Sequence, residues 1–294
     1  MDTQSFALTA TRIAFSSLGA VAPEPMAAWA ERLYMSPRRH ETPERERAVL
    51  EDATALRVDT PAGQLAAWRW QPWFPWERSA RGTVLLAHGW EGRASQLGSF
   101  VAPLVARGFS VLAADAPAHG ASPGDEVDLP LYSACLRAIA DQVGDVRAIV
   151  AHSFGCAASV FAMAADAGGP GLGVDAAVLV SPPHSLERFA DEFARMVGLT
   201  SATEAIFRAR LEVRFGREWW RTFSLDERAR KIAAAALVIH DDGDAEVPPA
   251  EGAELARAFP AGALLRTQGL GHRRILRDVD VVERAAAFLD RALP

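Results

Sequence analysis

Ser153 stands where an apolar run, Val146 to His152, meets a second run of small apolar residues. A serine on a strand-to-helix corner projects from the edge of a sheet, and the helix N-terminus behind it offers backbone N–H groups to a developing anion. The corner is too tight for bulk, and its flanking positions are small: Ala151, Gly155 and, one turn on, Ala157. The pattern small-x-Ser-x-Gly is that of a nucleophile elbow. The structural alternative is an ordinary N-cap serine. A serine attacks a carbonyl only when a base takes its proton, most often a histidine oriented by a carboxylate. Downstream, "VIHDDGDAEVPP" supplies an acidic loop with Asp241, Asp242 and Asp244, and "GLGHRRIL" places His272 in a glycine-rich loop. The spacing from Asp244 to His272 leaves room for one helix and one strand.

The elements that must carry these residues follow from periodicity. From Gly82 onward, apolar strands alternate with amphipathic helices. Strands are expected over Thr83–His88, Ser110–Asp115, Val146–His152, Ala176–Ser181, Ala235–His240 and Ala263–Thr267. Helices are expected near Gln96–Arg107, Leu129–Val143, Ser153–Ala165, Pro249–Phe259 and Asp278–Ala292. Continuous apolar strands between such helices make a mostly parallel sheet covered on both faces. Two further strands, near Leu56–Val58 and Leu65–Trp70, flank the Pro61-Ala62-Gly63 turn, for about eight in all. Residues 1–53 read as a helical extension, and "TPERERAVLEDA" opens with a helix start at Thr42-Pro43. Residues 184–231 show only helical pattern. They are expected to form a lid over the carboxyl edge of the sheet, where ligands bind in such folds, leaving 54–183 and 232–294 as the core. In "RFADEFARMV", Phe189, Phe193, Met196 and Val197 share one helical face. That face, with His184 at the lid entrance, is the candidate substrate pocket; ordinary packing is the alternative.

Five segments, "LLAHGWEG", "LAADAPAHGASPG", "AHSFGC", "VIHDDGDAEVPP" and "GLGHRRIL", come in one order and spacing. Together they resemble the α/β-hydrolases, over about residues 54–294. The resemblance implies a doubly wound α/β sheet and a serine esterase- or lipase-like enzyme. Where the family commonly has Gly, this chain has Ala151, still small. The family's acid loop, His-Gly-x-x-Asp-x-x-Val-Pro, is matched by His240, Asp244, Val247 and Pro248, with Asp241 in place of the Gly. This implies Asp244 as the acid beside Ser153 and His272. The oxyanion hole would use the N–H of Phe154, after the nucleophile. By the resemblance, the second donor is the N–H of Trp90 in "HGWEG", with Glu91 next in line. Histidines such as His88 and His119 brace loops in the family. The nucleophile being Ser, the branches that use Asp at the elbow, dehalogenases and epoxide hydrolases, do not fit. Acyl transfer, thioester hydrolysis and cofactor-free perhydrolysis could use the same three residues. A non-catalytic hydrolase-like binding protein would be expected to have lost one of them.

Composition narrows the rest. The chain has 294 residues, half of them apolar, and a net charge of −6. Such acidity argues against nucleic acid or an anionic membrane as partner. Cys135 and Cys156, the two cysteines, have no neighbouring ligand pattern and read as buried thiols. No metal-ligand spacing and no phosphate or dinucleotide loop is present, so no cofactor and no metal are expected. No apolar run reaches the ~20 residues of a membrane span. The N-terminus is a poor secretion signal, so the expected location is cytoplasmic. The segment "WRWQPWFPWE", Trp68–Glu77, holds four of the eight tryptophans. It is either a packed aromatic loop or an interaction patch for a homodimer or lipid interface.

Overall fold

The computed structural model describes residues 3–72, 81–165 and 170–293. An eight-stranded sheet is ordered β1-β2-β4-β3-β5-β6-β7-β8. The strands are β1 Thr54–Thr60, β2 Gly63–Trp70, β3 Thr83–Ala87, β4 Ser110–Ala114, β5 Val146–His152, β6 Ala176–Val180, β7 Ala235–Asp241 and β8 Gly262–Thr267. β1–β2 and β2–β4 pair antiparallel, and every other pairing is parallel. β3, β4 and β6 are buried along their whole length and β5 everywhere but at Arg147. That is the reason they read as unbroken apolar runs rather than as alternation. β1 and β8, at the two edges, are mostly exposed.

The helices are α1 Thr3–Leu18, α2 Pro23–Met35, α3 Glu44–Glu51, α4 Val101–Ala106, α5 Leu129–Val143, α6 Phe154–Met163, α7 Leu186–Val197, α8 Ser201–Phe215, α9 Trp219–Thr222, α10 Leu225–Ala229, α11 Pro249–Ala258, α12 Gly271–Arg274 and α13 Val279–Ala292. The expected helix Gln96–Arg107 is broken in two. Ala94–Phe100 winds as a 3-10 helix before α4 begins. Gly98 lies close against Val49, where a Cβ would sit 2.8 Å from a methyl, and glycine and serine support an α-helix poorly here.

Contacts divide the chain into two compact units. One comprises residues 38–184 and 225–294 and contains the sheet; the other comprises residues 1–37 and 185–224 and is helical. Within the helical unit, α2 packs on α8. Phe15 stacks on Trp29 with centroids 4.6 Å apart. Tyr34 meets the edges of Phe193 and Phe207 at 5.2 and 5.5 Å, and Arg210 pairs with Glu31 at 2.6 Å.

Within the sheet unit, Trp70 is buried and its indole N–H donates to Val49 O at 3.0 Å. Trp68 packs against the same core. The rest of the tryptophan-rich segment, from residue 73, lies outside the described residues. Cys135 and Cys156 are both buried and unpaired.

Candidate active site

β5 lies between β3 and β6 in the middle of the sheet. At its end the chain turns sharply into α6, and Ser153 takes φ 51°, ψ −121°. A non-glycine residue held there is strained, and strain of this kind survives only where the surroundings enforce it. The Ser153 N–H donates to Val180 O at 3.0 Å, and Ser153 O accepts from Cys156 N–H at 2.8 Å. Gly155 is required by contact rather than flexibility: a Cβ there would lie 2.3 Å from Ala87 O and 2.5 Å from His88 O. Bare backbone at Gly155 thus lets α6 start directly against β3. The sequence expectation placed Ser153 inside the helix; it stands just before it, turned out of the helical conformation.

The acid and base come from the loops after β7 and β8. His272 Nδ1 donates to Asp244 Oδ2 at 2.7 Å. Asp244 Oδ1 accepts the N–H groups of Glu246 and Val247, each at 2.9 Å. His240 Nε2 lies 3.3 Å from Asp244 Oδ2 while it donates to Val247 O at 3.0 Å. Burial by itself would push this carboxyl up. The hydrogen bonds from His240, His272 and Val247 outweigh it and hold Asp244 well below the usual carboxylate range. With Asp244 on Nδ1, the other ring nitrogen of His272, Nε2, lies 4.0 Å from Glu246 Oε2.

The two neighbouring acids have other tasks. Asp241 Oδ2 accepts from Thr267 Oγ1 at 2.8 Å and from Leu270 N at 3.0 Å, and its Oδ1 accepts from Gly243 N at 2.9 Å. It ties the acid loop to the loop that carries His272. This explains the departure from the family's glycine: a carboxylate here joins the two loops. Asp242 pairs with Arg266 at 2.7 Å at the surface.

His152 bridges the corner to the base loop. Its Nε2 donates to His272 O at 3.0 Å, and the two rings lie 4.7 Å apart. Burial, then the neighbouring His272, holds His152 neutral, with its pKa pushed down to about 3. On the other side, a Cβ at Gly89 would sit 3.0 Å from both His152 Nδ1 and Ser153 Cβ. Gly89 therefore brings the loop after β3 against the nucleophile.

That loop carries Trp90 and Glu91, and α6 carries Phe154, the candidate oxyanion donors. Phe154 N–H is the first of α6 and has no partner within the helix. The Glu91 N–H, by contrast, is taken by His119 Nε2 at 3.0 Å. Of the two candidates in that loop, Glu91 therefore has its N–H already engaged. The Trp90 indole packs edge-on against Phe154 at 5.5 Å and His119 at 5.6 Å. His119 Nδ1 donates to Pro117 O at 2.9 Å. His88 Nδ1 donates to Gly89 O, and its Nε2 accepts from Ala116 N, both at 2.8 Å. Each tautomer is thus fixed, and both rings brace backbone, as the resemblance implies. Burial dominates both shifts, lowering His88 to about 4 and His119 to about 3.

His184 lies between Asp226 and Glu254, 3.6 Å from each, and its N–H donates to Glu251 Oε2 at 2.8 Å. Phe193 belongs to the aromatic cluster with Tyr34 and Phe207, and Phe189 on the same helix is half-buried. Among the described residues no cluster of His, Cys, Asp and Glu could hold a metal ion, and no helix is long and apolar enough to cross a membrane.

A sheet of this order, with a strained serine after its fifth strand and an Asp–His pair after the seventh and eighth, defines an α/β-hydrolase. The model of the alpha/beta hydrolase family matches residues 84–286, and the chain belongs to that family of enzymes. The structure resembles the esterase Pf2001 of Pyrococcus furiosus with a TM-score of 0.65 at 18% identity, covering 88% of this chain and 100% of that one. It resembles Est1E from Butyrivibrio proteoclasticus with a TM-score of 0.61 at 18% identity, covering 81% and 98%. For XC6422 from Xanthomonas campestris, described as an α/β serine hydrolase without lid, the TM-score is 0.56 at 19% identity, covering 83% and 96%. At such identities the likeness is one of fold. No curated protein matches the sequence.

Proposed function

We propose that the protein is a serine hydrolase that cleaves a carboxylic ester or a related acyl bond. The observation that carries this reading is the His272–Asp244 pair at 2.7 Å, with the His272 backbone held by His152, the residue next to Ser153. Ser153 Oγ attacks the acyl carbonyl as His272 Nε2 takes its proton. Asp244, ionised, keeps the Nδ1 proton in place and stabilises the imidazolium. The N–H groups of Phe154 and Trp90 hold the oxyanion. His272 returns the proton to the leaving alcohol, and water then repeats the sequence on the acyl-enzyme.

The esterase Pf2001, similar in fold, lends support to an ester as substrate. Acyl transfer, thioester hydrolysis and perhydrolysis would begin with the same acyl-enzyme. They differ only in the acceptor.

The test is fluorophosphonate labelling beside turnover of 4-nitrophenyl esters of graded chain length. The native protein should label at one site and turn over. Ser153→Ala should keep its melting temperature, fail to label, and lose activity by on the order of 10⁴–10⁶. Full labelling of the Ala variant would overturn the assignment.

A further inference from the structure

The loop that presents Trp90 is gripped by a stretch that takes no part in the chemistry described above. Arg38 donates from Nε and Nη2 to the two carboxylate oxygens of Glu91, at 2.7 and 3.0 Å. Its backbone N–H adds a third bond, to Glu91 Oε1 at 3.3 Å. His40 Nε2 lies 3.3 Å from Glu91 Oε2. The residue between them, Arg39, donates to Gly120 O, Ser122 O and Gly124 O at 2.9, 2.8 and 2.9 Å. Consecutive arginines therefore hold two different loops. Those loops also hold each other, because His119, just before Gly120, accepts the Glu91 N–H.

Glu91 itself sits at φ 54°, in the left-handed region that a glutamate occupies only under restraint. If it relaxed toward negative φ, the Trp90–Glu91 peptide would turn and carry Trp90 with it. A two-pronged guanidinium–carboxylate pair fixes orientation as well as distance, which a single point charge does not.

We propose that Arg38 and Glu91 form a positioning clamp that keeps the Trp90 N–H aimed at the oxyanion. The clamp sets the rate of the acyl-transfer step without touching the substrate. The proposal rests on the Ser153 hydrolase reading. Arg38 is 61% exposed at its side chain and Glu91 16%. The pair is open to solvent on the Arg38 side, where such contacts add little to global stability, so removing Arg38 should leave a folded protein in which only the aim has changed.

The experiment compares Arg38→Met, Glu91→Gln, the double variant and Arg38→Lys, with a 4-nitrophenyl ester as substrate and phenylboronic acid as inhibitor. The boronate adds to a nucleophilic serine and places a charged tetrahedral oxygen in the oxyanion hole. Each single neutral variant should lose roughly tenfold in kcat, with KM within about twofold, because the lost contact matters only in the transition state. The boronate Ki should rise by the same tenfold. The double variant should be no worse than the poorer single one, and Arg38→Lys should recover part of the loss. Native-like kcat and Ki in both single variants, or losses that multiply in the double, would overturn the clamp. Ser153→Ala, run alongside, separates the two levels. If it is inactive while Arg38→Met behaves as native, only the clamp fails. If it stays active, the hydrolase reading fails.

Discussion

The base side and the oxyanion side of Ser153 are held by opposite electrostatics. On the base side a buried charge is kept: Asp244 accepts from His272 and from the Glu246 and Val247 N–H groups, with His240 close by, and stays ionised. On the oxyanion side the buried histidines His88 and His119 are kept neutral, each with one ring nitrogen donating to a carbonyl and the other accepting an amide N–H. Under the proposed mechanism, the difference separates the histidine that moves a proton from those that brace. A ring with both nitrogens committed to backbone is a brace. His272 has a carboxylate on Nδ1 and a backbone carbonyl held by His152, so Nε2, 4.0 Å from Glu246 Oε2, is the nitrogen proposed for the proton transfer. His240 also faces Asp244, yet its Nδ1 is sealed against Gly252, where a Cβ would lie 2.2 Å away.

The largest effect should come from breaking the charged side. Asp244→Asn keeps the shape but removes the charge and the preferred tautomer, so kcat should fall on the order of 10⁴. A loss under tenfold in steady-state ester turnover would mean that another carboxylate orients His272.

Next comes the donor on the neutral side. Trp90→Pro has no N–H to give, and kcat should fall by roughly 10²–10³. Trp90→Ala keeps the amide and should change mainly KM. Melting temperatures of both variants control for loop distortion, and equal kcat losses in two folded proteins would assign the effect to the indole.

His119→Ala should act more weakly. It strands the Glu91 N–H without its acceptor, at a cost of about 1–3 kcal/mol by urea unfolding, with roughly a tenfold lower kcat because the loop it braces carries Trp90.

The neutral histidines also predict an acid limit. Their pKa values in the fold, about 4, 3 and 3 for His88, His119 and His152, lie below the value of about 6.5 expected when unfolded. Between these limits the unfolded chain binds protons that the native protein refuses. Stability is therefore full above pH ~6.5 and falls as pH drops toward ~4, by up to ~1.4 kcal/mol per pH unit for each histidine. Urea titrations across that range should show the slope, and His152→Gln should make it shallower by one proton.

The smallest effect belongs to Asp242. Paired with Arg266 at the surface, Asp242→Asn should change kcat by less than about twofold. Together with the Asp244 variant it measures how different two acids two positions apart can be.

Much of this molecule was legible in its sequence because the signals are local. Continuous apolar strands encode burial on both faces of a sheet. The small residues around Ser153 encode a corner where backbone meets backbone, as Gly155 against Ala87 and His88 shows. The order of serine, acidic loop and histidine is carried by chain order alone. What the sequence left open was which atoms meet. The acidic loop offers Asp241, Asp242 and Asp244 within four positions, and only the packing of the β7 and β8 loops assigns one to a histidine, one to loop-tying and one to an arginine. Arg38 and Glu91 are 53 positions apart, and no periodicity links them. His152 carries no sequence signal of its role, because its partner is a carbonyl 120 residues away. Local pattern fixes the backbone and its faces; the tertiary structure decides which side chains meet, because a hydrogen bond needs a partner within about 3 Å, which only the folded loops supply.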